Sequence, residues 1–111
     1  MVYPMKLQHQ PFLAIKLGRK KIEMRLNDDK RKKIKVGDMV EFTDVKTGDA
    51  LLCKVVNLHL YASFDELYKN HEKISIGYEE NEIADPKDML AYYSAEEVER
   101  YGVVGIELKI V

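Results

Sequence analysis

The chain has 111 residues, 46% of them apolar and 33% charged, and carries a net charge of −1. This is room for one domain with a real core, and the balance excludes an intrinsically disordered chain. No apolar run reaches the roughly 18–20 residues that cross a bilayer and no signal-peptide pattern opens the sequence, so a cytoplasmic location is expected. Cys53 is the only cysteine, which excludes an internal disulfide.

The charge is unevenly placed. Residues 1–37 hold 11 Lys/Arg against 3 Asp/Glu, a net of +8, whereas residues 38–111 hold 7 against 16, a net of −9. Such asymmetry points to a nucleic-acid or other anionic partner, unless the two halves fold together and mix their charges on one surface.

In chain order, Tyr3–Leu7 suits a short first strand. "QPFLAIKLG" reads as a short helix, with Pro11 at its first position, Gly18 ending it, and Phe12, Ile15 and Leu17 facing the core. "KKIEMRLN" alternates strictly: Ile22, Met24 and Leu26 on one face, Glu23, Arg25 and Asn27 on the other. A basic loop, Lys30 to Lys33, follows. "MVEFTDV" is the next strand, with Val40 and Phe42 inward, and "KTGD" turns it into the long apolar run "ALLCKVVNLHLY", which reads as a central strand.

Helix signals then dominate. Ser63 with Glu66, and Ser94 with Glu97, are spaced as capping boxes, Tyr93 and Val98 as the staple of the second box, and Asp85-Pro86 opens "PKDMLAYY". Residues 71–84 are acidic and irregular. Gly102 ends the last helix, and "VVGIELKIV" closes the sequence as a strand with Val104, Ile106, Leu108 and Ile110 on one face. Short strands outnumber short helices, which predicts an α+β fold built on a closed or nearly closed mixed β-barrel.

On alternation alone, Glu23 and Arg25 form an outward-facing ion pair worth about 0–1 kcal/mol. Two features favour a working site. Lys20 stands at the mouth of that strand, and "LNDDKRKK" adds amide, carboxylate and cationic groups within a few residues. Arg supplies a planar fork for a phosphate or base edge, Lys a point charge, and Glu an acceptor for an exocyclic amine.

"GRKKIEMR" fits G-x-K-x-x-E-x-R through Gly18, Lys20, Glu23 and Arg25, and resembles the signature of the ASCH domain family, a branch of the PUA-like β-barrel superfamily. The resemblance extends through "PFLAIKLGRKKIEMRLNDDKRKKIKVGDMVEF" and "YYSAEEVERYGVVGIEL" and is to small single-domain bacterial members, so one ASCH domain over residues 1–111 is expected. It implies a PUA-like mixed barrel with short helices packed outside, and RNA or nucleotide binding in a cleft lined by the motif. One branch of similar size hydrolyses the amide of acetylcytidine nucleosides, with a Lys and a Thr in the corresponding block as base and nucleophile. Lys20 matches that Lys and Arg25 its Arg, but Glu23 stands where the Thr would be, and a carboxylate cannot follow the hydroxyl's acyl-enzyme route.

The resulting expectation is a binder of RNA or a modified nucleotide through Lys20, Glu23, Arg25, Asn27, Lys30, Arg31 and Tyr92. The alternative is an amidohydrolase in which Lys20 and Glu23 activate water, and a third reading makes the acidic half a protein-contact surface. Of Tyr92 and Tyr93, one should pack inward and the other face the cleft. His9, His59 and His71 lack metal-ligand spacing, so no metal or other cofactor is expected. A monomer is expected, and Cys53 reads as a buried small hydrophobe.

Overall fold

A computed structural model describes residues 1–111. It arranges them as β1 (Val2–Leu7), α1 (His9–Lys16), β2 (Ile22–Leu26), β3 (Met39–Asp44), β4 (Ala50–Tyr61), α2 (Phe64–Asn70), a 3-10 helix (Pro86–Ala91), α3 (Ala95–Tyr101) and β5 (Val103–Ile110). The strands form a single mixed sheet in the order β1-β3-β4-β5-β2, curled into a half-barrel. Only the β1–β3 pair is parallel. β1 and β2 are therefore the two free edges. Pro4, which has no N–H to donate, sits on one of them, where a sheet tolerates it.

Two apolar clusters lie on opposite faces of this sheet. The larger fills the concave face, where Phe12 and Ile15 of α1 meet Met5, Val40, Phe42, Cys53, Val55, Val104 and Ile106. The smaller joins Ile22, Met24 and Leu26 of β2 to Phe64 and Leu67 of α2, Met89 of the 3-10 helix and Val103. β2 and β5 are thus covered on both sides. Position 105 shows how closely: a Cβ there would come within 3.0 Å of Ile22 Cγ2.

The alternation in β2 sends Ile22, Met24 and Leu26 to the smaller core, as expected. Its other face does not meet solvent. Glu23 pairs with Ile106 and Arg25 with Val104, residues of the concave core, so both charged side chains point into the half-barrel beside its open seam. The outward ion pair expected from alternation is corrected here: curling makes that face an inside face.

Other departures are local. α1 starts at His9, making Pro11 its third residue; the first helical N–H bond, Phe12 to Gln8, comes just after, so the missing donor still costs nothing. Leu17 caps the helix and is 66% exposed. Ser63 accepts from the Glu66 N–H at 3.3 Å without the return bond, so that box is half formed, whereas the Ser94–Glu97 box is complete. "PKDMLAYY" yields a 3-10 helix capped by Asp85. β4 is central, yet Leu52, Val56 and Leu60 on it are exposed. Ile110 lies past the core at the strand end. No helix is long and apolar enough to cross a membrane.

Phe42 is fully buried, so Phe42→Ala should lower the unfolding free energy by about 3–5 kcal/mol, against about 1 kcal/mol for Ser94→Ala at the complete capping box. Urea denaturation of the two variants checks the ranking.

Candidate functional site

Helix α1 ends so that Lys20 is aimed inward. Gly18 takes φ +80°, and the N–H groups of Arg19 and Lys20 both donate to the carbonyl of Ala14, at 3.0 Å each. Lys20 is then only 8% exposed, and its Nζ donates to Glu23 Oε1 at 2.7 Å. Arg25 Nε donates to Glu23 Oε2 at 2.8 Å, and Arg25 Nη2 to the carbonyl of Lys6 at 3.1 Å. One guanidinium thereby bridges β2 to β1 across the seam.

Glu23 is 5% exposed. Burial alone would raise its pKa, but the Lys20 and Arg25 charges, and the hydrogen bonds both donate, hold it below the ordinary carboxylate value of 4.5. It is an ionised, doubly paired group.

These side chains line a cleft of about 780 Å³, within the usual range for a small-ligand site. Its cations are Lys6, Arg19, Lys20 and Arg25. Its carboxylates are Glu23, Glu79, Glu82 and Asp88, equal in number, so the cleft is formally neutral despite the basic first half of the sequence. The charges are segregated: apart from Glu23, the acids come from the segment between α2 and α3, and the cations from residues 6–25.

That segment forms the opposite wall. The carbonyl of Ser75 accepts from the N–H groups of Lys21 and Ile22, at 2.9 Å each, which fastens the segment to the free edge of β2. Gly77, at φ +113°, lies against the Lys20 stem; a Cβ there would approach Lys20 Cδ to 3.1 Å, so the position requires glycine twice over. Tyr78 Oη donates to Asp88 Oδ2 at 2.7 Å and lies 2.9 Å from Tyr68 Oη. Burial, then the hydrogen bonds with Tyr68 and Asp88, push the Tyr78 phenol well above its usual range, so it stays a donor.

Of the residues expected at the site, Lys20, Glu23, Arg25 and Tyr92 line the cleft. Tyr92 is 67% exposed, while Tyr93 stacks on Phe64 at 6.0 Å between ring centroids and also lines the cleft, so the expected division of the two rings between core and cleft is only partial. Asn27, Lys30 and Arg31 lie outside the lining, on the β2–β3 connection. Lys30, Lys32 and Lys33 are exposed, and Arg31 folds back toward Asp28 with its Nε buried and without an acceptor. Sequence reasoning missed Gly77, Tyr78 and Asp88. The Gly-Tyr pair inside an acidic stretch was the one available signal.

Other titratable groups lie elsewhere. Burial pushes the Cys53 thiol up to about 11, which makes it inert. His59 and His71, distant in sequence, meet with ring centroids 4.7 Å apart, and burial and then His59 lower the pKa of His71. No group of three or more His, Cys, Asp or Glu side chains converges as a metal site.

The ASCH domain family profile matches residues 5–111. The chain belongs to the ASCH domain family. ASCH domains are generally thought to bind RNA. The crystal structure of hypothetical protein PH0355 has the same fold, with a TM-score of 0.85 at 32% identity and 100% of each chain covered. The solution NMR structure of protein PF0455 from Pyrococcus furiosus gives a TM-score of 0.79 at 33% identity, covering 100% of this chain and 98% of that one. No curated protein matches significantly.

The pairing in this ASCH domain sets a pH dependence. A depressed folded pKa means that the stabilisation by ionised Glu23 is fully present above its unfolded value, near 4.5, and is lost as pH falls through the folded value. Denaturant titrations below about pH 5 should therefore show a shallower loss of stability in Glu23→Gln than in wild type. The slope that remains includes Asp44, where burial would raise the pKa but the His9 and Lys46 hydrogen bonds hold it low. At neutral pH, Glu23→Ala should cost about 3–5 kcal/mol, because it leaves Lys20 buried and unpaired.

Proposed function

We propose that this ASCH domain binds single-stranded RNA by taking one unpaired base into the cleft while the phosphates stay outside it. The observation that carries this reading is the neutral, charge-segregated cleft, whose buried cations suit a polar base edge better than a polyanion. Tyr92, exposed at the lining, supports it as a stacking face for that base. The exposed Lys30, Lys32 and Lys33 are suited to attract phosphate without reading sequence.

Fluorescence anisotropy with labelled single-stranded RNA tests the division of labour. Replacing Lys30, Arg31, Lys32 and Lys33 with Ala should weaken binding about equally for all sequences and flatten the salt slope by about 0.7–1 for each phosphate no longer neutralised. An unchanged affinity at low salt would reduce the run to a solvated loop. Tyr92→Ala should weaken binding by roughly 5- to 150-fold, the range of a lost base stack.

Amide hydrolysis is the competing function. Lys20 occupies the position of the base in the acetylcytidine-hydrolysing branch, but it is ion-paired, and each Glu23 oxygen already accepts from a cation. Neither group is free to take a proton from water. Incubation with acetylcytidine should release no acetate. Robust turnover abolished by both Lys20→Ala and Glu23→Ala would make this an enzyme.

A further inference from the structure

We infer that the base taken by the cleft is guanine, an inference that rests on the base-binding reading above and assigns its specificity. It follows from counting the hydrogen-bonding groups left over on the two sides. Lys20 carries three N–H donors and gives one to Glu23; Arg25 carries five and gives one to Glu23 and one to Lys6. Two donors on Lys20 and three on Arg25 are left. Both side chains are largely buried and both line the cleft, so these donors are available to a molecule bound there. The Glu23 oxygens are each engaged. This side therefore presents donors in excess and calls for adjacent acceptors.

The opposite wall presents the reverse. Asp88 receives the Tyr78 hydroxyl on Oδ2 and leaves Oδ1 without a protein donor, and Glu82, also on the lining, accepts the Glu79 N–H on Oε1 and leaves Oε2 without one. The two sides are held in fixed relation by the chain itself. Gly77 rests on the Lys20 stem, and the next residue, Tyr78, reaches Asp88 through its hydroxyl. Both sides line the one cleft, so a purine with hydrogen-bonding groups on two edges can meet both at once.

Guanine alone among the four common bases carries two adjacent acceptors, O6 and N7, on one edge and two adjacent donors, N1–H and the N2 amine, on another. Lysine or arginine on O6 and N7 is the commonest specific base contact. A carboxylate accepts from N1–H and N2–H with both oxygens or one. Adenine and uracil alternate donor and acceptor, and cytosine has adjacent acceptors in N3 and O2 but only its N4 amine as donor, so none of the three matches both sides with adjacent pairs. Unpaired groups of that kind are what a buried polar site rejects.

The test uses the full chain and short oligouridylates carrying one central guanosine, adenosine, cytidine, inosine or 7-deazaguanosine, with binding read by anisotropy. The guanosine oligomer should bind roughly tenfold more tightly than those with adenosine, cytidine or uridine alone, a discrimination typical of one well-formed bidentate pair. Inosine, lacking the N2 amine, and 7-deazaguanosine, lacking N7, should each lose most of that gain. Asp88→Asn, with folding verified by its amide NMR spectrum, should bring the guanosine and inosine oligomers to equal affinity while the 7-deazaguanosine penalty remains. If all oligomers bind alike, and Tyr92→Ala weakens them all, base binding stands and guanine is overturned. A preference for another base overturns guanine as well. If none binds, or binding ignores both Tyr92→Ala and Lys20→Met, the base-binding reading itself falls, and this inference with it.

Discussion

The half-barrel is a sheet that curls without closing, and the bond from Arg25 on β2 to the Lys6 carbonyl on β1 spans the gap between its edges. A closed barrel would have filled its interior with side chains from every strand. Here four strands and α1 build an apolar core, and the fifth, β2, brings Glu23 and Arg25 to the same concave face. The cleft lies where the sheet fails to close, and its chemistry is whatever β2 and the end of α1 carry there.

A buried ion pair is weak support for stability, since desolvation of both partners offsets most of their attraction. Lys20, Glu23 and Arg25 would be replaceable by apolar residues of similar volume if packing were their only role. A second buried carboxylate makes a useful contrast. Asp44 accepts from the Lys46 N–H at 2.9 Å and lies 2.7 Å from His9 Nδ1, tying the start of α1 to the turn after β3. Its partners lie outside the cleft lining, and it reads as architecture. The Lys20–Glu23–Arg25 group keeps unused donors on side chains that line a cavity, and that difference sets it apart from the Asp44 pair.

The acidic half of the sequence acquires its meaning from this frame. Three of its sixteen acids line the cleft. Glu79, Glu82 and Asp88 stand across a cleft from Arg19, Lys20 and Arg25, so the two halves meet at the site. Arg19 and Glu79 approach to 3.6 Å at the exposed rim, a weak contact between the two walls.

What the sequence determined by itself is local. Period-2 alternation defined the strand containing Ile22, Met24 and Leu26, the long strand Ala50–Tyr61 emerged with its observed bounds, and Ser94 with Glu97 marked a helix start, because each signal acts between residues a few positions apart. The motif from Gly18 to Arg25 was legible for the same reason, its members lying on one turn and one strand. Tertiary structure alone decided that the Glu23 face lies inside, since burial of that face depends on the curl of a sheet whose other strands are distant in sequence. It also decided that Gly77, Tyr78 and Asp88 belong to the site. Beyond the Gly-Tyr pair, nothing near them in the chain announces it; they reach Lys20 only because Ser75 docks on the free edge of β2, a hydrogen-bonding opportunity that exists only once that edge has been left unpaired.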